Sequence, residues 1–227
     1  MRYSPIDQQF FVDNRKKLVR ELKPNSLAVF NSNDIMPTNA DGSMVFKQNN
    51  DLFYLTGIEQ EESILVICPG FREEKKREIL FLRQPNEHLE KWYGHKLTKE
   101  EAQAISGIET VMWLPDFDAL FHHLMAMSGA ENVYLNTNEH YRSEVVVQTR
   151  DARFVDWCRA KYPLHTYQRV APLMGKLRRT KSALEIKLIQ QACDITEKGF
   201  RRVLKFTKPG VKEYEIEAEY IHEFIRH

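Results

Sequence analysis

The chain of 227 residues has no surplus of either charge: 33 basic side chains face 32 acidic ones, for a net charge of +1. A surface that tracks phosphates leaves a clear basic excess, so nucleic acid is not an expected partner. Cysteine is scarce. Cys68, Cys158 and Cys193 are odd in number and widely spaced, with no C-x-x-C pair. That excludes a disulfide framework and a zinc cage, and predicts three buried thiols in a reducing compartment. No apolar run approaches the roughly 20 residues of a membrane helix. The opening MRYSPIDQQFFVDNRKKL is amphipathic and carries acids, unlike the apolar core of a signal peptide. A cytoplasmic location is the expectation. G-x-S-x-G, P-loop and G-x-G-x-x-G patterns are all missing, and no internal repeat or low-complexity segment occurs.

What is present is an alternation of strands and helices. Residues 5–22 predict a helix, with Phe10, Phe11, Leu18 and Leu22 set among charges and Pro24-Asn25 as its stop. SLAVFNS (26–32) reads as a buried strand, and DIMPTNADGS as a loop. MVFKQ (44–48) and LFYLTG (52–57) are rich in aromatic and apolar residues and read as strands, with Gly57 allowing the turn that follows. SILVICPG (63–70) and EILFLRQ (78–84) are paired strands joined by the solvated charge run REEKKRE. A helix over 98–106 has Thr98 as N-cap and Glu101 at the capping-box position. Strand 107–114, helix 116–128, strand 132–137, helix 143–160 and strand 164–170 complete the pattern. The expected fold class is α/β, a mixed sheet covered by helices, over residues 1–172.

The composition shifts over residues 173–227. Ser182 and Glu185 form a capping box, and Leu184, Leu188, Ala192 and Ile195 make one stripe of a long helix. Thr207-Lys208-Pro209-Gly210 breaks it. A last helix follows with Tyr214, Ala218, Ile221 and Ile225 in register. Two helices with wide apolar faces cannot cover each other fully, so this reads as the opening of a second, incomplete domain.

Two stretches imitate metal sites. IHEFIRH (221–227) suggests H-E-x-x-H, but His222 and His227 are five residues apart, not four. On a helix their directions differ by about 140°, against about 40° for a zinc pair. In DFDALFHH (116–123) Asp116 reads as a helix N-cap, and His122 and His123 fall on the helix flank. Neither is assigned a metal, and the residues alone assemble no catalytic constellation.

Four stretches resemble one family in order. FKQNNDLFYLTGIEQEESILVI (46–67) is similar to the F-R-Q-x-S-x-F-x-Y-L-T-G segment of Xaa-Pro aminopeptidases, the aminopeptidase P branch of the creatinase/prolidase-like proteins. KWYGHKLTKEEA (91–102) resembles their W-x-G-x-R-L segment. LRRTKSALEIKLIQQACDIT (177–196) resembles the helix joining their two domains, and KPGVKEYEIEAEYIHEFIRH (208–227) the helix opening the catalytic domain. Lys47 stands where the family pattern has Arg.

The resemblance implies a creatinase-like N-terminal domain (1–172), followed by a linker and the first helices of a truncated pita-bread α+β catalytic domain (173–227). It also implies cleavage of the bond between an N-terminal residue and a following proline, using two divalent ions, usually manganese. The two Asp, two Glu and one His that hold them would lie downstream of His227, so no catalytic or metal residue is assigned here and the chain alone is expected to be inactive. Peptides with proline second are the implied partners, and a homodimer or homotetramer the implied assembly, with no nucleic acid and no membrane. The scissile bond is an imide without N–H, so recognition rests on shape and the free amine. The position matching a cleft-wall residue is Trp92, which Gly94 suggests lies on a loop and which the residues alone would place in the core. Two alternatives stay open: prolidase activity in the parent, and a non-catalytic peptide-binding or assembly module of the same fold.

Overall fold

The computed structural model describes residues 5–140, 142 and 144–227. Its central element is a six-stranded mixed sheet: β1 (Ser26–Asn31), β2 (Ile64–Ile67), β3 (Glu78–Leu82), β4 (Thr110–Trp113), β5 (Asn132–Leu135) and β6 (Thr166–Arg169), in the order β4-β3-β2-β1-β5-β6. Only β2 runs against its neighbours, pairing Ala28 with Ile67 and Val66 with Ile79, so the carboxyl ends of the other five strands share one edge.

Helices cover both faces, which is why β1 (from Leu27 to Phe30) and β2 carry continuous apolar runs and are buried at every position. Alternate residues feed two cores. Ala28, Phe30, Leu65 and Leu80 meet Leu18, Leu52, Leu55 and Ala102 from α1 (Gln8–Glu21), α2 (Asn50–Thr56) and α4 (Lys99–Ser106). On the opposite face Val29, Val66 and Phe81 meet Phe117, Phe121 and Cys158 from α5 (Phe117–Met127) and α6 (Arg150–Lys161). The α/β sandwich thus agrees with the fold class read from the sequence.

Several expectations need correction. Residues 52–57 are helical, not a strand, because Asn49 Oδ1 accepts from the backbone N–H of Asp51 and Leu52 and so caps α2. Segment 44–48 is not a strand either. It follows a short hairpin closed by the Pro37–Ser43 bridge, and Met44 and Val45 are exposed. The helix expected from 143 begins at Arg150, capped by Thr149, and Ser143 lies outside the described residues. Asp116 opens α5 but makes no side-chain cap bond, since a 3-10 turn (Leu114–Asp116) leads directly into the helix. Cys68 and Cys158 are buried, whereas Cys193 is exposed.

The ends of α2 and α4 are near copies. Each finishes in a buried hydroxyl (Thr56, Ser106), a left-handed glycine (Gly57, Gly107) and a buried isoleucine (Ile58, Ile108). Each hydroxyl donates to the carbonyl four residues back and accepts from the isoleucine N–H. Arg15 on α1, fully buried, ties both ends together, donating to Leu55 O at 2.7 Å and Ser106 O at 2.9 Å while its Nε meets Glu78 at 2.7 Å. One guanidinium thereby satisfies carbonyls that two helix ends would leave open.

The chain divides into two compact units, Met1–Leu177 and Arg178–His227. After β6 comes α7 (Ala171–Arg179), with Met174 buried. The second unit is a pair of helices, α8 (Ala183–Phe206) and α9 (Glu213–Arg226). The Ser182–Glu185 capping box is present. They touch at Gly199, where an added Cβ would sit 3.0 Å from Tyr220 Cδ1, and Arg202 pairs with Glu219 and Glu223. The expected register of α9 is corrected: Tyr214, Ile221 and Ile225 are exposed, and the face toward α8 carries Glu219, Tyr220 and Glu223 instead.

Candidate functional site

The carboxyl edge of the sheet collects the polar side chains. β1 leads to α2 on one face, and its parallel neighbour β5 leads to α6 on the other, so a crevice opens between their carboxyl ends. Asn31, Ser32 and Asn136 sit there and are buried. Asn31 Nδ2 donates to Asp151 Oδ1 at 2.9 Å, and Asn136 Nδ2 to Asp51 Oδ2 at 3.2 Å. Arg150 donates from its guanidinium to Ser32 Oγ at 2.8 Å and from its backbone to Asp34 Oδ2 at 2.7 Å. Arg153 pairs with Asp34, and Arg83 with Glu62 at 3.3 Å. Beside them is a cleft of about 500 Å³ lined by Asp34, Ile35, Glu62, Arg150, Arg153 and Phe154. Burial pushes the Asp151 carboxyl up to about 6, against the opposing pull of Asn31 and Arg150. Burial lowers Arg150 as well.

Trp92 leaves the same edge of the sheet. It lies in a short helix, α3 (Glu87–Tyr93), that follows β3, and not on a loop as expected. Asn86 Oδ1 accepts from His88 N at its start. Gly94, at φ 76°, ends it by donating to Glu90 O. Trp92 is 78% exposed and Tyr93 62%, so the indole is not packed into the core. The segment after it is pinned: His95 Nε2 meets Glu101 Oε2 at 2.8 Å, Lys96 Nζ pairs with Glu61, and Leu97 N donates to Gln60 Oε1 at 2.8 Å. Both rings are open to solvent, on a short helix whose following segment is held in place.

Burial drives Cys158 up to about 12 and raises Cys68, so neither thiol is primed for attack. Among the described residues no three His, Cys, Asp or Glu side chains are placed to hold a metal ion. His122 Nδ1 instead meets Tyr162 OH at 3.2 Å, and His123 packs edge-on to Phe71. His222 and His227 both turn toward Glu223, at 3.9 and 3.4 Å. The divalent ions implied by the resemblance therefore do not fit the side chains present. What the geometry offers is binding and positioning. Arg150, Asp151, Asn31 and Asp34 were not anticipated as a group. Polar residues crowding the end of an apolar strand (FNSND) and the Thr149 cap before Arg150 were the available signals.

Residues 11–134 match the family model described as aminopeptidase P, N-terminal domain. The chain belongs to that family. A 26% identical relative, the Xaa-Pro aminopeptidase of Escherichia coli (strain K12), aligns over 99% of this chain and 50% of its own length. The enzyme of the same name from Haemophilus influenzae is 27% identical, over 98% and 48%. An aminopeptidase P structure from Bacillus anthracis superposes with a TM-score of 0.87 at 28% identity, covering 96% of this chain and 51% of the other. The zinc-substituted E. coli aminopeptidase P in complex with product gives 0.79 at 27%, over 99% and 50%. The chain spans about half the length of the curated relatives it matches. No helix among the described residues is long and apolar enough to cross a membrane.

Proposed function

We propose that the chain is the N-terminal portion of a metal-dependent Xaa-Pro aminopeptidase, which hydrolyses the bond between an N-terminal residue and a following proline. The observation carrying this reading is alignment along 99% of the chain with half of a relative so named. Divalent ions, manganese in this reading, would supply polarisation of the scissile carbonyl and activation of water in the whole enzyme. Among the described residues no cluster of His, Cys, Asp or Glu is placed to hold them. The chain's own contribution is Trp92. Its exposed indole supplies an apolar wall for a substrate that offers no N–H at proline, in the parent's cleft or across a homodimer or homotetramer interface.

The test uses the longer parent with manganese and peptides with proline second. Release of the N-terminal residue is expected, and Trp92→Ala should lower kcat/KM about 5-fold, the equivalent of ~1 kcal/mol of ring contact, with unchanged thermal stability. Cleavage confined to dipeptides would assign prolidase activity instead. No manganese-dependent release by the parent would leave a non-catalytic peptide-binding module.

A further inference from the structure

Between α3 and α4 the chain turns through Gly94-His95-Lys96-Leu97, and His95 stands between two carboxylates. Its Nε2 meets Glu101 Oε2 at 2.8 Å and Oε1 at 3.1 Å. Its Nδ1 faces Glu90 Oε1 at 3.8 Å, an ion-pair distance and not a hydrogen bond. Each carboxylate also holds a backbone N–H of the same turn. Glu101 Oε2 accepts from Thr98 N at 2.8 Å, and Glu90 Oε1 from Lys96 N at 3.3 Å. Glu90 belongs to α3 and Glu101 to α4, so one imidazole ring bridges the two helices.

A neutral imidazole has one N–H and one lone pair. With the proton on Nε2 it donates to Glu101 and turns the lone pair toward Glu90, which repels that carboxylate. With the proton on Nδ1 the repulsion falls on Glu101. Only the imidazolium attracts both. Histidine changes charge between about pH 5 and 8. Charges on the neighbouring elements do not replace the second contact. On the segment before β2, Glu61 is taken by Lys96, and Glu59 brings only a further negative charge. Lys99 of α4 lies over the Trp113 ring at 4.9 Å, and His88, Lys91 and Glu100 are exposed.

We propose that His95 is a proton-controlled clasp: as imidazolium it ties α3 to α4 and fixes the helix that carries Trp92, and on losing its second proton it releases α3. The inference concerns the seating of α3 and stands apart from the aminopeptidase reading, because it is measured without turnover. The His95 side chain is 59% exposed, so the clasp contributes no more than exposed ion pairs do, about 2- to 5-fold in the opening equilibrium of α3.

The experiment follows the Gly94 amide, which closes α3 by donating to Glu90 O, in the isotope-labelled chain between about pH 5 and 8. Its exchange with solvent is divided by the intrinsic rate at each pH, and the Cε1–H resonance of His95 reports the ring's own titration. Protection is expected to fall about 3-fold as pH rises, with the midpoint of the ring. His95→Gln keeps a donor for Glu101 and cannot gain charge, so its protection should stay flat at the high-pH level. His95→Arg is always charged and should stay flat at the low-pH level. Glu90→Gln keeps an acceptor for Lys96 N and should shrink the change to below about 2-fold. His88 and Asp151 remain in all three variants, so a pH effect that belongs to either persists in His95→Gln. Such persistence, or a ring titration that leaves Gly94 protection unchanged, would overturn the proposal.

Discussion

At the scale of single residues, two glycines with the same backbone conformation have different jobs. Gly57 and Gly94 both end short helices at positive φ, 70° and 76°. A Cβ on Gly57 would fall 2.5 Å from two ring carbons of Phe11, while a Cβ on Gly94 would meet nothing within 4 Å. A left-handed conformation costs a non-glycine residue about 1–2 kcal/mol, and overpacking a core adds about 1–3. Gly94→Ala should therefore lose about 1 kcal/mol of unfolding free energy in a urea titration, and Gly57→Ala about 2–4. Equal losses would show that the Phe11 contact relaxes freely. The strand expected at 52–57 misread this same local chemistry. Aromatic and apolar residues there favour a strand by composition, yet Asn49 ahead and Gly57 behind are a helix cap and a helix stop. The sequence AISGI at 104–108 repeats LTGI at 55–58 with a hydroxyl, a glycine and an isoleucine in the same places. That pair was the readable clue to a second helix end.

At the scale of elements, α6 is docked to β1 through a carboxylate in an unfavourable place. Asp151 receives Asn31 Nδ2, yet burial raises its pKa from 3.8 to about 6. The folded chain then holds this proton more tightly than the unfolded chain does. Stability from this group is greatest below about pH 4 and declines as pH rises through about 6, opposite in sign to a salt-bridged carboxylate. The full swing is on the order of 2–3 kcal/mol. Asp151→Asn keeps an acceptor for Asn31 and removes the charge. It should stabilise the chain at pH 8 by about that amount and flatten the slope between pH 4 and 6, read from urea midpoints across pH. An unchanged slope would show that Asp151 ionises normally in the folded chain. This network was illegible because its members come from positions 31, 34, 51, 136 and 150–151, which periodicity along one segment cannot connect. The capping boxes at Thr98 and Ser182 were legible because each is complete within four residues. Trp92 could be named only through family resemblance: a lone tryptophan among charges carries no periodic signal, and its 78% exposure depends on how α3 leaves β3.

At the scale of the whole molecule, the two units differ in how they are held. In the first, three strands carry four consecutive apolar residues, and helices seal both faces. In the second, α8 and α9 bury only Gly199 and Val203, while Ile186, Ile189, Phe200, Leu204, Phe224 and Ile225 are exposed. Helical stability in proteins comes mainly from a covered apolar face, and an uncovered pair gains little from the packing of its own two members. Opening free energies should follow. Amides of β1, β2 and β3 should exchange only through global unfolding, whereas those of α8 and α9 should exchange through local opening at lower free energy and remain insensitive to mutations in the sheet. Native-state hydrogen exchange at increasing urea separates the two classes. A single isotherm shared by β1 and α8 would show instead that the helix pair unfolds together with the sheet. That outcome would require the exposed face of α8 to be covered in solution, and repeating the exchange at several protein concentrations would reveal whether a second copy covers it.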